Sequence, residues 1–427
     1  MSWSPRLIRP DELPAVVDLL ALGFGEGPVA PPEIRAAVEA VAEVDRTFVV
    51  EDEGRLVGTA AAYTFNLALP GGTVPMAAVT EVAVSPTHRR RGLLTALLEA
   101  VHDQALQRGE PLAGLTASEG GIYRRFGYGV ATRYHQVRID AHRSAELTPL
   151  RVAGAGDGSD PRPGAGRGHA AHGRIRFVSE DEAAGILPAV WDRHWRRTPG
   201  EVDRTAGYWA EHALDTPQAR AGASARFIAV HDDAAGQPDG FAVYRIAQDS
   251  GPTGTSQEAR LVWLAAASDP VEAALLRFVL DVDLVGTVTW SAPVDMPLRW
   301  RLADPRAVTV TAERDLLWLR PLDVPRCLAA RRYAAEGEVV IAVVDDRRDA
   351  GGRFRLAGGP AGAVCERTGD VPDLTLAVAD LGALLAGGTT WDALARAGRI
   401  VEHRAGTVDR ADAMFRPERA AYCSTDF

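Results

Sequence analysis

The chain has 427 residues, 46% hydrophobic and 24% charged, and a net charge of −10 from 47 basic against 57 acidic side chains. That length predicts about three domains, with cores large enough to need no metal or disulfide staples. No residue is lysine, which excludes a P-loop ATPase, a protein kinase, a Schiff-base enzyme and an ordinary pyridoxal phosphate enzyme, and the acidic balance argues against a nucleic-acid partner. In chain order, Leu7–Arg9 reads as a short strand, and Asp11 as the cap of a helix running to Leu22. Residues 47–51 and 56–65 read as a hairpin turning at Gly54, and 77–84 as a strand. From Gly92 to Leu106 the spacing of Leu93, Leu94, Leu97, Leu98 and Val101 predicts an amphipathic helix. Strands follow at 112–116 and 134–139, giving an α/β order around a mixed sheet.

Residues 153–173 (AGAGDGSDPRPGAGRGHAAHG) have no apolar period and read as a linker or surface loop. Beyond them, strands at 226–230 and 240–246 lead into 260–281, which echoes 81–103: strand, proline, amphipathic helix. The second copy lacks the arginine run and the helix-opening glycine, so it reads as a duplicated domain that lost its ligand loop. Trp191, Trp195 and Trp209 read as core or interface residues. A break near Arg320-Pro321 precedes strands at 339–344 and 374–378, helices at 381–385, 391–397 and 408–414, and an extended tail ending at Phe427. The expected domains are therefore 1–150, a linker over 151–173, then 174–320 and 321–427.

Cys327, Cys365 and Cys423 are far apart, and the histidines show no ligand spacing, so no metal site or disulfide framework is expected. The N-terminus carries acids where a signal peptide is apolar, and no apolar run approaches the ~20 residues of a membrane span. A cytoplasmic protein without a membrane partner is expected.

The strongest motif is VAVSPTHRRRGLLTALL, 82–98: a strand, a loop ending in Arg-Arg-Arg-Gly, and a helix. The first amides of a helix lack intrahelical partners, and the macrodipole makes that end positive. A pyrophosphate fits there. Gly92 lets the backbone approach it without a Cβ, and Arg89, Arg90 and Arg91 add charge.

This segment resembles the coenzyme A loop of the GNAT acetyltransferases, R/Q-x-x-G-x-G/A: Arg89 and Gly92 match, whereas Leu94 departs from the usual Gly or Ala. IYRRFGY, 122–128, resembles the family's tyrosine-bearing helix and Gly-aromatic turn. With VTEVAVSPTHRRRGLLTALLEAVHDQA and ASEGGIYRRFGYGVAT, the resemblance narrows to the Eis (enhanced intracellular survival) acetyltransferases. It implies an α/β (α+β) protein with tandem GNAT folds, the second degenerate, followed by a sterol-carrier-protein-like domain whose last residue is a catalytic Phe. It also implies a homohexamer.

The implied activity is transfer of acetyl from acetyl-CoA, without a metal, to an amine of a cationic acceptor: an aminoglycoside, a polyamine-like molecule or a lysine side chain. The implied path is direct transfer in a ternary complex. Val82, Ala83 and Val84 would present backbone to the pantetheine. Arg89, Arg90, Arg91, Gly92, Leu93, Leu94 and Thr95 would hold the pyrophosphate. Ser118 and Glu119 would line the coenzyme site. Tyr123 would be the general acid, with Tyr128 its local competitor, and the Phe427 carboxylate the base, with Glu81 its internal rival. Glu26, Glu81 and Asp426 would form an acidic acceptor pocket. The alternative is a scaffold that binds coenzyme A and, through the sterol-carrier-like domain, a lipid.

Overall fold

A computed structural model describes residues 3–144, 173–248, 257–347 and 350–427; the linker expected at 151–173 lies, apart from Gly173, outside the described residues. Two compact units emerge: Met1–Tyr134 with Trp195–Leu214 and Asp315–Phe427, and His135–His194 with Asp215–Arg314.

The first unit contains two sheets. One has the order β1 (Arg6–Leu7), β2 (Thr47–Asp52), β3 (Arg55–Leu69), β4 (Gly72–Val84), β5 (Leu112–Thr116), β14 (Leu317–Pro321), β6 (Gly129–Val130). Helix α1 (Leu13–Phe24) buries Val16, Val17, Leu19 and Leu20 and ends at Gly25, whose left-handed φ of 79° is a conformation glycine adopts without strain. The helix start expected at Asp11 is replaced by a 3₁₀ turn, Pro10–Glu12, in which Glu12 accepts from the Arg9 amide at 2.8 Å. Helix α2 (Pro32–Val41) follows. Helix α3 (Leu93–Gln107) buries Leu93, Leu97, Leu98 and Val101 of the expected stripe, together with Ala105, against Ala60, Ala62, Ala77 and Val79 of β3 and β4, while the expected Leu94 is half-buried. Small residues on the sheet let the leucines seat closely.

The other sheet of this unit has the order β17 (Gly362–Arg367), β16 (Gly352–Gly359), β15 (Gly337–Val344), β18 (Leu374–Ala377), β19 (Ile400–Glu402). Its helix Val378–Leu385 is buried throughout and lies on β6 and β14. The approach is backbone to backbone: a Cβ at Gly129 would stand 1.7 Å from the Ala379 carbonyl, and one at Gly382 2.1 Å from that of Leu319. Arg320, buried, donates to the Phe126 carbonyl at 2.6 Å and pairs with Asp345 at 2.8 Å. The segment 195–214 adds helix Ala206–Ala213, which packs on α2 and is capped by Thr205 accepting from the Tyr208 amide.

The second unit is one seven-stranded sheet in the order β13 (Val308–Asp315), β7 (Arg133–Asp140), β12 (Val285–Pro293), β11 (Gln257–Ala266), β10 (Pro238–Gln248), β9 (Phe227–Asp232), β8 (Arg174–Phe177). Helix Asp269–Leu280 packs Val271, Leu275, Leu276 and Val279 on it. The two seven-stranded sheets share one plan, with an exchange. The place between β5 and β6 is taken by β14, antiparallel to β5 from Leu317↔Thr116 to Pro321↔Leu112. The matching place between β12 and β13 is taken by β7. Each fold is completed by a strand from the stretch of sequence expected to build the other.

Candidate active site

β4 and β5 run parallel but pair only at Met76–Ala78 with Leu112–Gly114, although β4 continues to Val84 and β5 to Thr116. Past Ala78 the strands form no ladder, and Val82, Ala83 and Val84 lie on the β4 arm. On the opposite edge, β4 carries one extra residue against β3: Thr59 faces Ala83, but Ala61 faces Thr80. The bulge puts Glu81 at φ 53°, a left-handed conformation uncommon outside glycine and often tied to bulges that re-aim a side chain. Glu81 Oε1 accepts from the Tyr63 hydroxyl at 2.6 Å, while its buried Oε2 has no hydrogen-bond partner among the described residues. Burial raises the Glu81 carboxyl above its ordinary range against the lowering effect of that hydrogen bond. Burial and then the Glu81 charge push Tyr63 well above 10, so Tyr63 stays the donor.

After β4 the chain makes a 3₁₀ turn, Pro86–His88, tied down where His88 Nε2 meets Asp52 at 2.9 Å. Arg89, Arg90, Arg91 and Gly92 are exposed at the start of α3, with Arg90 at φ 62° and Gly92 at φ 88°. The Ala96 amide is the first to return to Gly92, so the amides of Leu93, Leu94 and Thr95 precede any intrahelical partner. No acidic residue occupies the first turn of α3. A Cβ at Gly92 would meet no atom within 4 Å. The open space, cationic surround and free helix start fit a pyrophosphate. Leu94, where the chain departs from the family pattern, is half-buried.

Ser118 and Glu119 are exposed just past β5, and the single turn Gly120–Tyr123 follows. Tyr123 is buried, its ring 6.1 Å edge-on from Tyr128. The Tyr128 hydroxyl lies 2.7 Å from His102 Nε2 in the core, whereas that of Tyr123 has no hydrogen-bond partner among the described residues. Burial, then the charge of Glu119, raises the Tyr123 phenol, so it carries its proton at neutral pH.

The chain end reaches this same sheet. Thr116, the last residue of β5, donates to a terminal carboxylate oxygen of Phe427 at 2.8 Å, and the Phe427 ring packs edge-on to Phe65 of β3 at 5.4 Å. Phe427 and Asp426 border a cavity of about 280 Å³, its open mouth included, with Tyr63, Phe65, Tyr208 and Glu211 on its walls. Burial, then the charges of Asp426 and Glu81, pushes Glu211 up to about 7. Of the three expected acidic residues, Asp426 and Glu81 are thus gathered here. Glu26 is not: it sits exposed where α1 closes, its amide returning to the Ala21 carbonyl, and the acid on the cavity wall is Glu211. Glu211, Tyr63 and Thr116 went unnoticed in the sequence; Glu211 lies in a helix whose only local signal is the Thr205 cap, and nothing near it in sequence points to residue 427.

Comparisons with known proteins give the family. Residues 4–131 and 200–320 each match an acetyltransferase (GNAT) domain, and 324–424 a sterol carrier protein domain. An uncharacterized N-acetyltransferase of Streptomyces avermitilis is 37% identical over 386 residues, 90% of this chain and 88% of its own. N-acetyltransferase Eis of Mycobacterium tuberculosis is 33% identical over 95% of this chain and 94% of its own. The chain belongs to the Eis family of GNAT N-acetyltransferases. Eis1 of Mycobacterium abscessus superposes over the full length of both chains with a TM-score of 0.83 at 32% identity. A GCN5-related N-acetyltransferase of Anabaena variabilis shares the fold, TM-score 0.82, at 18% identity. As an Eis-family enzyme the protein is an acetyltransferase with tandem GNAT folds and a sterol-carrier-like domain, and it uses acetyl-CoA as acetyl donor to an amine. Among the described residues no helix is long and apolar enough to cross a membrane.

Proposed function

We propose that this enzyme acetylates a cationic amine by direct transfer within a ternary complex, with Tyr123 as acid and the Phe427 carboxylate as base. Carrying the reading is the 2.8 Å hydrogen bond that fixes the chain end at the tip of β5, where β4 and β5 have ceased to pair. Acetyl-CoA supplies the acetyl group as a thioester. Arg89–Arg91 and the helix start Gly92–Thr95 hold its pyrophosphate, the backbone of Val82–Val84 lies along its arm, and Ser118 and Glu119 flank it.

A protonated amine cannot attack, so it must lose a proton, and the departing thiolate must gain one. The Phe427 carboxylate takes the first, directly or through water. An ordinary α-carboxyl has a pKa of roughly 3.5 and is a weak base, so its fixed place within reach of the amine, directly or through water, is what this role requires. Tyr123, protonated and without an internal partner, supplies the second. Tyr128 is a poorer candidate because His102 engages its hydroxyl. Glu81, Glu211 and Asp426 give the cavity the sign that attracts a cation. Aminoglycosides, polyamines and lysine side chains share that chemistry. A hexamer acting in the cytoplasm completes the proposal, and light scattering reads its mass.

The test is release of the coenzyme thiol from acetyl-CoA across a panel of these amines. We expect release only with an amine present, and intersecting double-reciprocal lines when both substrates are varied. Parallel lines would contradict direct transfer, and release indifferent to amine would contradict the assignment of an amine acceptor.

A further inference from the structure

We propose that Glu201, with Arg204, is a positioning residue that holds the C-terminal tail so that its last carboxylate reaches the reacting amine. The inference rests on the reading of Phe427 as the base.

Glu201 is buried at 1% exposure in a segment that is itself fixed to β3: the Ala68 amide donates to the Glu201 carbonyl and the Gly200 amide to that of Ala68, each at 2.8 Å. Its carboxylate is spent almost wholly on three consecutive tail residues. Oε2 accepts from the Ser424 amide at 2.9 Å and the Ser424 hydroxyl at 2.7 Å. Oε1 accepts from the Thr425 hydroxyl at 2.9 Å and the Cys423 thiol at 3.4 Å, besides the Val202 amide. Arg204 meets the same two hydroxyls from its own side, Nε donating to Thr425 Oγ1 at 3.1 Å and Nη2 to Ser424 Oγ at 3.3 Å. The guanidinium also lies over the Tyr208 ring, 4.9 Å from its centroid. Each hydroxyl therefore donates to a carboxylate and accepts from a guanidinium, which fixes its rotamer as well as its place; such charge-assisted bonds are the stronger kind.

The anchoring stops at Thr425. Asp426 is exposed, and Phe427 closes on Thr116 and Phe65. A chain end ordinarily frays, and the last residue of this one follows the exposed Asp426. Thr116 supplies one hydrogen bond against that. A second anchor two residues upstream resists the displacement that proton transfer, with its reach of about 3.2 Å, does not tolerate.

The test uses full-length Glu201→Ala, Glu201→Gln and Thr425→Val, each checked for an intact melting transition, beside a protein lacking Phe427. Tail release is read as the rate at which carboxypeptidase A removes Phe427, followed by intact mass. Catalysis is read as kcat and as KM for acetyl-CoA. We expect Glu201→Ala to lose Phe427 about tenfold faster, with kcat down about tenfold or more and KM for acetyl-CoA unchanged; Glu201→Gln, which keeps one acceptor, should fall between it and the wild type. Thr425→Val keeps the side-chain shape and should shift in the same direction, so it carries the test if Glu201→Ala does not fold. Unchanged removal of Phe427 would overturn the anchor. Faster removal with unchanged kcat would overturn the positioning role. In that event the protein lacking Phe427 separates the two ideas: if it is inactive, only the positioning inference fails, and if it is fully active, the terminal base fails with it.

Discussion

The two GNAT folds of this chain keep the same frame and differ at one corner. Both have a bulge in the strand that precedes the crossover helix, at Glu81–Val82 in β4 and opposite Val243/Tyr244 in β11. Both pair that strand in parallel with the next for only part of its length, at Met76–Ala78 in the first and Gln257–Leu261 in the second. The difference lies between strand and helix. In the first fold Ser85–Gly92 intervene, with three arginines, a left-handed glycine and no acid in the helix's first turn. In the second, only Ala267 and Ser268 separate β11 from the helix, whose first turn carries Asp269 and Glu272. Those carboxylates already answer the positive helix end and repel a phosphate. The frame is common to both folds; what the first has and the second lacks is an open, cationic helix start.

That contrast can be broken in graded steps. The largest effect belongs to chemistry at the first fold: Tyr123→Phe should lower kcat ~10²-fold with acetyl-CoA affinity nearly unchanged, by steady-state kinetics and calorimetry. A mutant with wild-type kcat would move the acid role to Tyr128, to water or to nothing. Next, Gly92→Asp gives the first helix start the character of the second. It should weaken acetyl-CoA binding roughly tenfold or more, combining charge with a side chain forced to positive φ. Unchanged affinity by calorimetry in a folded mutant would remove the phosphate reading.

A smaller effect concerns pH. Glu211 ionises near 7, and a cation in the cavity favours its charged form. Acceptor KM should therefore fall severalfold as pH rises from 6 to 8, and Glu211→Gln should flatten that part of the profile. The sign for stability is opposite. A carboxyl whose folded pKa is raised from 4.5 to about 7 costs stability that appears as pH rises between those values. Glu211→Gln should then melt slightly higher than the wild type at pH 8 and no higher at pH 4. The smallest effect sharpens the comparison by its absence: replacing Asp269 and Glu272 with Asn and Gln should add no second acetyl-CoA to the binding stoichiometry, because the loop that would cradle it is missing.

Much of the frame was legible. Helix α3 declares itself through its leucine spacing, and the strand 112–116 was read to the residue. The resemblance between 81–103 and 260–281 showed the duplication. Helix α2 was missed although Ile34, Val38 and Val41 recur at helical spacing, because it is short and only partly buries that stripe, Ile34 and Val38 packing on Val17, Ala21 and Ala30. The strand exchange was illegible for another reason: nothing in LLWLR says which sheet it joins, since strand partners are chosen by tertiary packing. The site divides likewise. The arginine-glycine loop and Tyr123 lie in local motifs, whereas the role of Phe427 comes only from what the resemblance implies. Thr116, Glu211 and Glu201 matter only through contacts with residues at the far end of the chain, where no local pattern can reveal them.

The central claim is that the carboxylate of Phe427 is the base, and its position can be changed without touching the fold. A short extension after Phe427 converts that carboxylate to an amide and carries the new terminus away; deleting Phe427 moves it by one residue, over ~3.3 Å in an extended tail. The same kinetic assay, run beside an N-terminally extended protein and Glu81→Gln, decides between the two carboxylates. The account predicts a sharp loss of kcat on either change at the C-terminus, retained acetyl-CoA binding, an unaffected N-terminal extension and a milder loss in Glu81→Gln. Full activity in a stably folded, C-terminally extended enzyme, together with an inactive Glu81→Gln, would contradict it and make Glu81 the base.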